Sequence, residues 1–304
     1  MIPVIDLHCD ALLQLHTMQP PSFESSQLAA SGPSLISGGT KMQLFAIFIE
    51  PETHSETKFI HALEQAELFH SCVSQYPGMR AVQRWEDVHK LQKGETGALL
   101  TLEGVDAIGG DIGKLRTLIQ LGLRSCGLTW NDANLAADGV GEPRGGGLTL
   151  FGQEIVSLLN EHKLWTDVSH LSKRGFFDVM RDAELPVATH SNADAVHAHP
   201  RNLDDEQLKA LFERKGLCGV VYSPEFIGGG KEKLLKHVDH MLEIGGAECL
   251  ALGSDFDGLT EYPVGLENAS CQQLMAKLLE REFGKETAEN ICWRNAEAYM
   301  LRSV

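Results

Sequence analysis

The chain has 304 residues, long enough for one large α/β domain, with 43% hydrophobic and 22% charged residues, the balance of an ordinary folded protein rather than a disordered one. A formal net charge of -16 works against phosphate backbones and anionic lipid, so neither nucleic acid nor a membrane surface is an expected partner. Seven cysteines lie scattered at positions 9, 72, 126, 218, 249, 271 and 292 with no C-x-x-C spacing. Together with the absence of a signal-like segment or any run of 18 apolar residues, they point to reduced thiols and a cytoplasmic location.

The chain opens on Val4-Ile5-Asp6-Leu7-His8-Cys9-Asp10. Treated as one strand over residues 4–10, its period of two sends His8 and Asp10 to the same face at the C-terminal end. An imidazole and a carboxylate then converge, which suits a zinc-type cation taking nitrogen and oxygen ligands at about 2.0 to 2.2 Å. A stretch rich in Ser, Pro and Gly follows over roughly residues 17–40, too long for a plain connection in a compact domain and so expected to be a functional loop. The apolar run 42–49 predicts a buried second strand, and residues 56–75 a helix with Ile60, Leu63, Ala66, Leu68 and Val73 as its apolar stripe.

From there the same unit repeats. Strands are predicted over 97–103, 124–130, 164–170, 185–191, 216–222 and 249–255, and helices over about 113–121, from Phe151 onward, and over 173–183, 204–214 and 232–244, with further helices from about residue 266. Eight apolar strands, each followed by a loop and a helix, predict a single (β/α)8 TIM barrel spanning residues 1–304. A doubly wound open sheet is the alternative, but it would call for a Gly-rich phosphate fingerprint after an early strand.

In such a barrel the active site lies at the C-terminal ends of the strands. Those ends carry His8 and Asp10, then Glu103, His170, His190 and Asp255. Taken singly, each is an unremarkable strand terminator, core histidine or turn former. Their recurrence at one rim predicts a metal site, and three histidines with up to three carboxylates exceed what one catalytic zinc requires. A shared carboxylate can hold two cations about 3.5 to 4 Å apart, and Glu103 is the best candidate for sharing. Tyr222 ends the seventh strand, where it either lines the site or packs into the core. His197 and His199 are expected to be solvated loop residues, and His237, His240 and Glu243 a surface helix face. Gly145 to Gly147 and Gly228 to Gly230 are expected to wall the site.

The motifs D-x-H-x-D at Asp6 to Asp10, L-E-G at Leu102 to Gly104, D-V-S-H at Asp167 to His170, T-H-S at Thr189 to Ser191 with P-R-N at Pro200 to Asn202, and G-S-D-F-D-G at Gly253 to Gly258 together resemble the membrane (renal) dipeptidase family of zinc peptidases, within the amidohydrolase-like barrels. The resemblance covers nearly the whole chain. It implies two zinc ions, one held by His8, Asp10 and Glu103 and the other by Glu103, His170 and His190, with a water or hydroxide between them. It further implies Asp255 as proton shuttle, Arg201 as the group binding the substrate's C-terminal carboxylate, a dipeptide substrate, and a homodimer. One departure stands out: where the family has a histidine in L-T-H after the fourth strand, this chain has Leu128-Thr129-Trp130, then Asn131. Either Asn131 or another donor replaces that imidazole at the substrate carbonyl, or Trp130 marks a different amide, such as an N-acyl amino acid or a cyclic amide.

Overall fold

The computed structural model describes residues 1–304. Nine parallel strands run in chain order: β1 (Val4–Asp6), β2 (Thr40–Phe48), β3 (Met79–Ala81), β4 (Thr96–Glu103), β5 (Leu123–Gly127), β6 (Trp165–Asp167), β7 (Pro186–Ala188), β8 (Leu217–Val220) and β9 (Leu250–Leu252). Their order is β2-β1-β9-β8-β7-β6-β5-β4-β3, and an additional pairing of β2 with β4 closes the ring into an eight-stranded barrel with helices between the strands. The (β/α)8 expectation holds. β3 is the strand that sequence reading missed. It pairs only with the first residues of β4, Met79 opposite Thr96, below the point where β5 joins at Leu100. Three residues carry too little pattern to be told from a loop.

Because every strand is parallel, all C-terminal ends reach one rim. Register makes this concrete: Phe48 lies opposite Glu103, Glu103 opposite Gly127, and Gly127 opposite Asp167. The other end of the barrel is closed by aromatic packing. Trp85 stacks on Trp165 at 4.8 Å, Tyr299 meets Trp165 edge-on, and the indole nitrogens donate to Lys163 O and Ser303 Oγ.

Three local expectations change. The stripe expected over residues 56–75 holds at Ala66, Leu68 and Val73, with Leu63 partly buried against the core, but Ile60 is solvent-exposed, and Ala62 and Gln65 of the Lys58–Leu68 helix are buried in addition. Gln65 is held inside because its amide bonds both N–H and C=O of Phe48 at the end of β2. The 17–40 stretch contains a helix, Gly32–Gly38, capped by Ser31, and it buries Phe23, Leu28 and Ala30. It is anchored to the loop after β9 by Asp257, whose carboxylate accepts the Ala29 and Ala30 N–H groups at 2.7 and 2.9 Å.

The third change concerns the opening strand, which ends at Asp6 rather than running on to residue 10. Ile5 and Leu7 pack with Leu44 and Leu99 inside the barrel. Strict alternation would therefore have sent His8 outward with Asp6. Instead Asp6 Oδ1 accepts the His8 N–H, an Asx turn two residues long that breaks the strand and redirects His8 to the mouth. Asp167 does the same at the end of β6, accepting the Ser169 N–H at 2.9 Å just before His170.

Candidate metal centre

The six strand-end residues meet at the C-terminal mouth of the barrel. His8 Nε2 lies 3.3 Å from Asp10 Oδ2, 3.5 Å from Glu103 Oε2 and 3.7 Å from Asp255 Oδ1. His170 Nε2 lies 2.8 Å from the other oxygen of Glu103, Oε1, and His190 Nε2 lies 3.5 Å from that same atom. Glu103 thus turns one oxygen to each half of the cluster. His170 and Asp255 both sit at positive φ, 66° and 64°, a backbone region that non-glycine residues rarely occupy and that is found mostly where function demands it.

The second half of the cluster has a definite proton pattern. His170 Nδ1 faces Asn131 Oδ1 at 2.8 Å, and that oxygen can only accept. His190 Nδ1 faces Thr189 Oγ1 at 2.9 Å, and Thr189 gives its single hydroxyl proton to Asp167. Both rings therefore carry their proton on Nδ1 when neutral, leaving Nε2 a lone pair. These two nitrogens are 2.8 Å apart and both face a carboxylate. With Glu103 Oε1 2.8 Å from one and 3.5 Å from the other, these three electron-rich atoms repel unless a cation lies among them. His8 Nε2 and Asp10 Oδ1 are also buried without a hydrogen-bond partner. The donor set fits divalent metal.

The electrostatics of His170 and His190 agree. Burial holds His170 well below the ordinary imidazole value, with Arg201 adding to the effect. Burial, helped by the nearby His8, brings His190 down to about 4. Neutral imidazole is the form that binds a cation. For His8, burial disfavours the charged ring, but the carboxylates of Asp10 and Glu103 outweigh it and raise the group well above its usual value. Burial raises Asp255 well above the ordinary carboxyl value, and Asp10 and Glu103 push it further.

Asp10, Glu103, His170 and Asp255 line a cavity of about 210 Å3 that is also bordered by Phe48, Trp130, Asn131, Arg201 and Phe226. An adjoining space of about 510 Å3 shares Trp130, Asn131, Arg201 and Phe226 and adds His199 and Glu225. A larger cavity of about 570 Å3 lies at the opposite end of the barrel, by Thr40 and Thr96, far from these groups. Arg201 is 6% exposed, donates to His190 O at 3.1 Å, keeps a buried Nε without a partner and lies 5.5 Å over the Phe226 ring. Trp130 packs 5.5 Å from Phe48 and 6.1 Å from His170, forming one wall.

Other expected residues are placed differently. Tyr222 is fully buried and gives its hydroxyl proton to Gln272, whose amide in turn bonds Asp6. It braces the back of β1 and does not line the cavity. Asn131 is at the mouth, but its oxygen is engaged with His170. His199 lies in a loop as expected but is half-buried, packing on Phe226 at 4.6 Å and accepting the Arg201 N–H. His237 is fully buried rather than on a surface face. The two triglycine segments border neither cavity at the mouth, and Gly146 is instead bonded to Asp138. Sequence reading missed the supporting groups Asp6, Asp167 and Thr189. Their signal was present as an aspartate two residues before a turned chain. Phe226 gave no signal at all.

Residues 1–300 match the family described as membrane dipeptidase, peptidase family M19. The chain belongs to that family. Among curated relatives of this dipeptidase, the dipeptidase aclJ of Aspergillus oryzae is 30% identical over 311 residues, covering 92% of this chain and 73% of that one. An uncharacterized protein in the pqqA 5' region of Klebsiella pneumoniae is 32% identical over 225 residues, covering 69% of this chain and 83% of that one. A crystal structure of a metallo peptidase from Rhodobacter sphaeroides, liganded with a phosphinate mimic of the dipeptide L-Ala-D-Ala, superposes with a TM-score of 0.90 at 27% identity, covering 100% of this chain and 99% of that one. The enzyme is a metallo-dipeptidase on a (β/α)8 barrel.

Proposed function

We propose that the dipeptidase hydrolyses short peptides with a free C-terminal carboxylate at a binuclear zinc centre. His8, Asp10 and Glu103 hold one cation, and Glu103, His170 and His190 hold the other. The observation that carries this reading is the division of Glu103, with Oε2 toward His8 and Oε1 toward His170 and His190. When bound, two cations supply an acidified water and a polarised carbonyl.

The protein's own groups do the rest. Asp255 borders the cavity with Asp10 and Glu103 as near neighbours, and it takes the proton of the attacking water and delivers it to the departing amine. Arg201 presents a guanidinium at the junction of the two cavities, and its planar fork matches a carboxylate. Phe48, Trp130 and Phe226 provide apolar walls that exclude water from the reacting bond. The Rhodobacter sphaeroides relative, solved with a mimic of L-Ala-D-Ala, supports a dipeptide as occupant. Trp130 favours a second reading, with the same metals acting on an N-acyl amino acid or a cyclic amide. A cytoplasmic location completes the proposal, supported by seven cysteines that are all unpaired.

The test is metal analysis combined with a panel of L,L and L,D dipeptides, N-acyl amino acids and cyclic amides. Two zinc equivalents per chain and chelator-sensitive turnover of free dipeptides are expected. Full activity with a single equivalent would overturn the binuclear centre, and turnover confined to the other amides would move the assignment to the second reading.

A further inference from the structure

We propose that Asn131 uses both ends of its amide: Oδ1 fixes the tautomer of the metal ligand His170, and Nδ2 donates to the carbonyl oxygen of the bond being cut. The proposal rests on the dipeptidase reading above. Its starting point is the 2.8 Å contact between Asn131 Oδ1 and His170 Nδ1. His170 Nε2 points at Glu103 and at His190 Nε2, so it must keep its lone pair to serve as a ligand. The ring proton is then on Nδ1, and only an acceptor can face it. Chemistry alone therefore settles which way the amide points, since the opposite flip would set N–H against N–H.

That orientation leaves Nδ2 turned away from His170. It makes no hydrogen bond within the protein, and Asn131 borders both the metal cavity and the adjoining space. Of the other donors at the cavity, Gln14 Nε2 bonds Asp257 O at 3.0 Å, and Arg201, which bonds His190 O at 3.1 Å, is assigned to the substrate carboxylate, so the Trp130 indole is the rival donor that the test must separate from Asn131. Asp10, Glu103 and Asp255 accept when ionised.

The backbone under Asn131 is fixed as well. Its carbonyl accepts the Gly141 N–H at 2.7 Å, and Val140 N–H returns to His170 O at 2.7 Å. Gly139 packs so closely that a Cβ there would sit 2.3 Å from Asn131 O, which only glycine allows. Asn131 and His170 are thus locked to one another by the same loop, as a preorganised donor requires. When water adds, the new O–C bond forms, the carbonyl π pair moves to oxygen, and the water proton goes to Asp255. The Nδ2–H group meets that oxygen as its charge grows. Collapse then breaks the C–N bond and the proton passes to the amine.

The two roles separate by substitution. Asn131→Asp keeps an acceptor for His170 and removes the donor, whereas Asn131→Ala removes both. The readouts are zinc stoichiometry and affinity by chelator competition, and kcat and KM measured separately on the best dipeptide. Asn131→Asp is expected to keep both zinc equivalents at wild-type affinity while kcat falls about 100-fold with KM little changed. Asn131→Ala is expected to lose kcat similarly and also to bind one of its two equivalents about 10- to 100-fold more weakly. Wild-type kcat in Asn131→Asp would overturn the donor role, and unchanged zinc affinity in Asn131→Ala would overturn the positioning role. A larger kcat loss in Trp130→Phe than in Asn131→Asp would assign the donor to the indole instead. Should the wild-type protein turn over no dipeptide, the dipeptidase reading fails, while the zinc-affinity comparison still decides the positioning of His170.

Discussion

Asp167 reaches from the end of β6 to Thr189 just beyond β7, where Oδ1 accepts the Thr189 N–H at 3.0 Å and Oδ2 takes the hydroxyl proton. Thr189 is thereby left as a pure acceptor toward His190 Nδ1 at 2.9 Å. A carboxylate, a hydroxyl and an imidazole form a relay that aims His190 Nε2 at Glu103. Asp6 is its counterpart on the other side of the mouth, accepting the His8 and Ser254 N–H groups and the Gln272 amide.

Thr189→Val tests the relay with almost no change of shape. His190 Nδ1 loses its acceptor and Asp167 Oδ2 loses its donor within a buried network. Zinc affinity should fall about 10- to 100-fold, as for other outer contacts to a ligating histidine. Unfolding free energy should fall by roughly 1 to 3 kcal/mol from the unsatisfied carboxylate oxygen. Chelator competition and denaturant titration measure the two effects separately, and unchanged zinc affinity would remove the relay from metal binding.

How much of this was readable beforehand follows from what leaves a periodic trace. The barrel did, because each buried strand is a run of apolar residues long enough to stand out, and because ligand-type residues at their ends share one rim. Placing His8 by strand alternation reached the right rim by the wrong route, since Leu7 faces inward and an Asx turn at Asp6 swings His8 over. Tyr222 ends its strand as the metal ligands do, but its hydroxyl finds Gln272, more than forty residues away, and no local pattern announces that. His237 was hidden for a related reason. Its helix looks polar, yet this residue turns inward to bond the Ala193 N–H and Ile227 O.

Asp255→Asn removes a carboxyl without changing its size. Zinc content should stay at the wild-type value, and kcat should fall roughly 10²- to 10⁴-fold, the range for loss of a positioned general acid or base. Steady-state kinetics with metal analysis on the same preparation checks this. Undiminished kcat would show that another group carries the proton.

Arg201→Ala separates substrate binding from chemistry. The guanidinium is buried, and burial lowers its proton affinity, so it is costly to keep without an anionic partner. Removing it should weaken kcat/KM for free dipeptides by about 2 to 5 kcal/mol, the scale for truncating one side of a buried charge pair. Dipeptide amides, which lack the carboxylate, should show little difference between wild type and variant. An equal loss on both substrate forms would mean that Arg201 supports the mouth rather than the substrate.

His237 gives a prediction about stability that is independent of the metal. Burial lowers its value from the ordinary 6.5 to about 4, and a proton taken up on Nδ1 would break the bond that this nitrogen accepts from the Ala193 N–H, while Nε2 donates to Ile227 O. A group whose folded-state value lies below its unfolded one leaves the unfolded chain binding more protons between the two, so stability declines as pH falls through that window. Above pH 6.5 the contribution is complete, and it is progressively lost on acidification toward pH 4. His237→Gln can keep one acceptor and one donor but has no proton to take up. Denaturant unfolding of the metal-free proteins from pH 7.5 to 4.5 should therefore show wild type losing more stability than the variant as pH falls, so that any advantage of wild type at neutral pH shrinks on acidification. Parallel pH dependences of the two proteins would show that His237 does not titrate in this window.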